Sequence, residues 1–63
     1  MARTNVKVNL VGNSGNAFAI LGAVSKALKK AGHIDLAKEF MEEATSGDYN
    51  HLLATAMDYV EVS

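Results

Sequence analysis

The stretch L-V-G-N-S-G-N-A-F-A-I-L-G, residues 10–22, joins the end of an alternating, strand-like run to the start of a helix-like run through a turn containing Gly12 and Gly15. The first four N–H groups of a helix have no intrahelical partner, so such a start can hold an anion. Asn16 is the expected N-cap. The stretch therefore predicts a strand, a helix and, at their junction, a binding place for a small negative group faced by Asn13, Ser14, Gly15 and Asn16.

Upstream, residues 5–11 place Val6, Val8 and Leu10 on one side and Lys7 and Asn9 on the other, the pattern of a strand with one buried face. Val11 interrupts the polar side and calls for cover from another element or another copy of the chain. Downstream, at 100° per residue, Ala17, Phe18, Ile20, Leu21, Val24, Leu28 and Ala31 share one arc of a helix over residues 17–31. The opposite side mixes Ala19, Gly22 and Ala23 with Lys26 and Lys30, and is either plainly exposed or open to close approach by another backbone. Lys29 and Lys30 suit the last turn, and Gly32 is a natural stop.

Asp35 is the expected cap of a second helix over residues 36–45, with Leu36, Ala37, Phe40, Met41 and Ala44 inward and Lys38, Glu39, Glu42 and Glu43 in water. Gly47 ends it, and Asp48 or Ser46 caps a third helix whose stripe is Tyr49, Leu52, Leu53, Ala56, Met57 and Val60. Residues 59–63 carry β-branched side chains at alternate positions and form a short strand. Two short strands make a marginal sheet alone, so pairing with the strands of a second copy is preferred over pairing within the chain. The expected fold is α+β, one domain over residues 1–63, ordered strand, helix, helix, helix and a short C-terminal strand.

Composition bounds the rest. A domain of 63 residues buries only roughly 60% of its unfolded surface. Without cysteine it has no disulfide, and two histidines without thiols argue against structural zinc. A homo-oligomer is the expected remedy. No apolar run reaches the roughly 20 residues of a membrane span, and the first five residues lack a secretion signal's apolar core, so the cytoplasm is the expected location. The net charge of −1 hides +5 over residues 1–33 and −6 over residues 34–63. That asymmetry marks either a basic surface for anionic partners or two halves that attract each other.

Catalytic and cofactor motifs fit poorly. A Walker loop needs four residues between its glycines followed by Lys and Ser or Thr, whereas only Asn13 and Ser14 separate Gly12 from Gly15. The dinucleotide fingerprint fails on glycine spacing as well. Asp48 and His51, three apart, can face each other across a first helical turn, but no serine lies in a nucleophile motif, and His51 reads as an exposed or ligand-contacting side chain. His33 is expected beside the last carbonyls of the first helix or in solvent. Glu39, Glu42 and Glu43 read as a solvated acidic face rather than a metal site. A third helix without lysine or arginine and with Asp48 and Asp58 repels DNA. No catalytic residue, metal or cofactor is expected.

Two stretches, G-N-A-F-A-I-L-G at residues 15–22 and E-A-T-S-G-D-Y-N-H-L-L at 43–53, resemble the signatures of a family of short hypothetical proteins of bacteria and their phages. The resemblance spans nearly the whole chain, brings no functional residues with it, and implies a compact stand-alone protein of a mobile element. The expected function is non-enzymatic binding of a small anionic, nucleotide-like ligand by Asn13, Ser14, Gly15 and Asn16, with Tyr49, His51 or lysines nearby. In a phage setting that suits a sponge for a host-defence nucleotide signal. The alternative is an inhibitor or accessory protein whose acidic residues 35–61 dock on a basic partner.

Overall fold

The computed structural model of the chain describes residues 3–9 and 16–62. Its elements are β1 (Lys7–Val8), α1 (Ala17–Lys30), α2 (Ile34–Ala44), α3 (Tyr49–Tyr59) and β2 (Glu61–Val62). The fold is α+β in the expected order. β1 is shorter than the alternation over residues 5–11 suggests, because β2 offers it only two residues to pair with. Leu10 and Val11 lie outside the described residues. Within β1 and its flanks the alternation holds: Val8 is buried and Val6 half-buried, while Lys7 and Asn9 are exposed.

The two strands pair within the chain, in parallel, with Lys7 opposite Glu61 and Val8 opposite Val62. This corrects the preference for pairing between copies. Parallel strands need a long crossover, which the three helices supply. Side-chain and backbone bonds then extend the sheet beyond its ladder: the Arg3 N–H donates to the Asp58 carbonyl at 2.8 Å and the Glu61 N–H to Val6 at 2.8 Å. The buried Thr4 hydroxyl donates to the Tyr59 carbonyl at 2.7 Å and accepts from the Val6 N–H at 3.2 Å. Three of these bonds tie the amino-terminal segment to residues 58–61, beyond what a two-residue ladder alone provides, and the fourth, from Val6 to Thr4, braces the segment itself.

α1 begins and ends by side-chain and backbone rules. Asn16 is extended, at φ −119° and ψ 99°, and its Oδ1 accepts the Ala19 N–H at 3.1 Å. At the other end Gly32 takes φ +89°, a conformation glycine adopts without Cβ strain. The Gly32 N–H returns to Lys29 at 3.0 Å and the His33 N–H to Leu28 at 2.8 Å, the paired bonds of a Schellman stop. That stop turns the chain directly into α2, so α2 starts at Ile34 rather than Leu36. His33 holds the cap position without a side-chain cap bond. Asp35, the expected cap, sits inside the first turn, where its charge still faces the positive end of the helix. Asp48, not Ser46, caps α3.

The core gathers Ile20, Leu21, Val24 and Leu28 of α1, Ala37, Phe40 and Ala44 of α2, Leu52, Ala56 and Tyr59 of α3, with Val8 and Val60. α2 packs against both α1 and α3. Phe40 is fully enclosed and meets the Tyr59 ring edge-on, centroids 5.6 Å apart at 69°. Four expected core residues lie outside. Phe18 is 86% exposed, on the flank of α1 outside the face that buries Ile20, Leu21, Val24 and Leu28. Ala31 is exposed in the stop itself. Met57 is 63% exposed on the flank of the α3 stripe away from Leu52, and Met41 stands at the edge of the core.

Candidate functional site

Of the residues expected to bind an anion at the start of α1, Asn13, Ser14 and Gly15 lie outside the described residues. Asn16 is exposed, with its side-chain oxygen occupied by the Ala19 N–H. Tyr49, half-buried at the start of α3, does come close to this end of α1: it lines a groove of about 300 Å³ with Ala17, Phe18, Leu21, Ala44 and Leu52. The lining is predominantly apolar, and its one charged residue is Asp48. His51 is not brought to the same groove.

His51 instead latches α3 to the end of α2. Its Nε2 lies 2.9 Å from the Glu43 carbonyl, 3.2 Å from the Ser46 hydroxyl and 3.4 Å from the Glu43 carboxylate. Ser46 gives its own proton to the Glu43 carbonyl at 2.7 Å, and Thr55 gives its proton to the His51 carbonyl at 2.7 Å. With both hydroxyl protons committed to carbonyls, Nε2 is the donor. A general base would need Nε2 to accept from a hydroxyl, so Ser46 and His51 are arranged for a turn and not for nucleophilic attack. Asp48 meets only the His51 backbone, accepting its N–H at 2.9 Å, so the expected side-chain pair between them does not form. Gly47 makes room for the ring: a Cβ there would stand 2.8 Å from His51 Cγ.

On the opposite side, the acidic face is not wholly solvated. Glu39 binds both the Arg3 guanidinium and the Tyr59 hydroxyl, and Arg3 lies over the Tyr59 ring, 4.8 Å from its centroid. Burial, and then the hydrogen bond to the Glu39 carboxylate, push the Tyr59 phenol up to about 12 against the opposing pull of Arg3. One residue of the basic half is thereby tied to one of the acidic half. Arg3 and Glu39 are each about half exposed, so their ion pair is worth roughly 0–1 kcal/mol. Among the described residues no group of three His, Asp or Glu could hold a metal ion.

A broad, open groove lies elsewhere, between the β1 segment and the C-terminal half of α1. This groove, about 680 Å³, is lined by Arg3, Thr4, Asn5, Lys7, Lys30 and His33 over a floor of Val6, Ala27 and Ala31. Lys7 is exposed on β1, and Lys30 and His33 on the α1 stop. Neither lysine has an ion-pair partner among the described residues, although Glu61 is the register neighbour of Lys7. Sequence periodicity put Lys7 on the polar side of a strand and Lys30 at a helix end. Their meeting depends on how β1 lies along α1, which no local pattern encodes. The one available signal was the unbroken positive sign of residues 1–33.

The groove abuts the C-terminal end of α1, where the helix dipole disfavours an anion by about 0.3–1 kcal/mol. A charge-assisted hydrogen bond contributes about 1.5–3 kcal/mol, so two lysines outweigh the dipole. Among the described residues no helix is long and apolar enough to cross a membrane. No protein-family model, characterised protein or solved structure matches the chain.

Proposed function

We propose that this chain is a non-enzymatic binder of a small anionic, nucleotide-like ligand, seated in the groove between β1 and α1. The observation that carries the reading is the meeting of Lys7, Lys30 and His33 around one groove of about 680 Å³, inside the range of roughly 300–1,000 Å³ common for small-molecule sites; the Arg3 guanidinium, which also borders it, is engaged by Glu39. The two lysines supply charge for phosphate, and the exposed Asn5 and His33 supply polar edges for a sugar or base. Binding without turnover acts by sequestration, which in a phage setting suits a sponge for a host-defence nucleotide signal. The acidic-face alternative has less to offer, since Glu39 is already engaged by Arg3 and Tyr59.

The test is a thermal melt with a panel of nucleotides, cyclic dinucleotides and ADP-ribose-type compounds. At 100 times its dissociation constant a ligand adds roughly 2.7 kcal/mol, which raises the midpoint of so small a domain by roughly 10 °C or more. The shift is expected to vanish in a Lys7→Ala, Lys30→Ala double variant. It is expected to survive Asn16→Asp, which keeps a capping oxygen but puts a negative charge at the start of α1. No shift across the panel overturns the proposal. Loss in Asn16→Asp with retention in the lysine variant would return the site to the turn before α1.

A further inference from the structure

Phe18 is large, apolar and 86% exposed, yet it stands on the rim of an apolar groove that it does not fill. A protruding ring beside a slot that no described residue fills is, on one face, a self-complementary pair. A two-fold rotation places each ring in the other copy's slot, which is the requirement for a closed, isologous contact. We infer that this face is the interface of a homodimer in which Phe18 of each copy inserts between the partner's α1 and α3, against Leu21, Tyr49 and Leu52.

Charge and area favour a second copy here. The slot's one charged residue, Asp48, is occupied in capping α3, and interface centres are depleted of charge. The comparable groove at Ile34 and Met41 is bordered by Lys29 and Lys38 and fits that description less well. The smallest stable dimers bury about 600 Å² per partner, roughly one seventh of the 4141 Å² that this chain exposes. Two inserted phenylalanines and the walls they cover supply about half of the total. Gly22, one turn further along α1 and exposed, has open space above it, so the partner can close down beside the ring and supply more. The inference is independent of the anion groove, which lies at the other end of α1.

The experiment is sedimentation velocity on the full chain across a concentration series, with melting temperature followed in parallel. The apparent mass is expected to climb from 6.7 kDa toward twice that value and stop there, with the midpoint rising alongside. Phe18→Ser removes the ring from an exposed position, and Ala17→Glu places a charge in the slot at a first-turn site that tolerates an acid. Both are expected to stay at the monomer mass at every concentration while remaining folded by circular dichroism. A wild-type chain that stays monomeric, a Phe18→Ser variant that associates as wild type does, or a mass that continues past the dimer overturns the inference.

Discussion

The two ends of α1 are built from different chemistry, and each is at odds with what a bare helix would offer there. At the amino end, where the helix dipole invites an anion, the described surface is the Asn16 cap, the Phe18 ring and an apolar slot reaching to Tyr49 and Leu52. At the carboxyl end, where the dipole repels one, Lys30 and His33 join Lys7 around a broad, open groove. Partial charges at helix ends set a bias of under about 1 kcal/mol at an exposed site. Full charges and exposed rings set the character of a surface.

The sharpest way to break this comparison is to ask whether the two ends differ in what they contribute to stability. Leu28, fully enclosed near the carboxyl end, is expected to cost about 2–5 kcal/mol on replacement by alanine, a large share of what a domain this small possesses. Phe18→Ala, measured at a concentration too low for association, is expected to change the urea midpoint hardly at all. A large loss from Phe18→Ala in the monomer would mean that the ring belongs to the core after all.

A second prediction concerns Arg3, which lines the groove and also leans on Tyr59. The Tyr59 phenol is held at about 12 in the folded chain against an ordinary value of 10.0. The folded state therefore keeps a proton that the unfolded state releases first. This contribution is complete below about pH 10 and is lost as the pH rises toward 12. In a Tyr49→Phe background, tyrosinate absorbance should appear late in the folded protein, and the denaturant midpoint should fall across that window. Tyr59→Phe should flatten that fall, and an unchanged slope would separate Tyr59 from the alkaline instability.

The smallest effects compare the caps. Asn16→Ala removes a made bond and is expected to cost about 1 kcal/mol. His33→Asp adds a capping oxygen to α2, but the His33 backbone is not extended, at φ −96° and ψ 57°, so a gain of only a few tenths of a kcal/mol is expected. The same change should weaken ligand binding in the groove by placing an acid beside Lys30. Urea melts and ligand titrations of these two variants, made side by side, separate the helix-end contribution from the groove.

Local chemistry made most of the elements readable. Asn16, Gly32 and Asp48 mark three helix boundaries by side chain or backbone preference alone, and the periodic Ile20, Val24, Leu28 and Phe40 fall in the core as spaced. The misses are tertiary in origin. Phe18 shares the apolar arc only at its edge, beyond the face that α1 buries through Ile20, Leu21, Val24 and Leu28. α2 starts early because the Schellman stop at Gly32 hands the chain on without a linker. The anion site expected at the helix start is not among these misses, because Asn13, Ser14 and Gly15 lie outside the described residues. The basic groove needed Lys7 and Lys30, 23 positions apart in sequence, to be brought together by packing.

The strand pair has a kinetic meaning. Lys7 and Glu61 are separated by 54 positions, so the ladder is among the last contacts whose loop can close, whereas each helix and each helix-to-helix turn forms from neighbours. Contacts of such long range come late and slow the search. The sheet therefore works as a clasp rather than a nucleus: during synthesis the β1 segment waits, unpaired, while all three helices are made, and it is locked down only when residues 58–62 reach it.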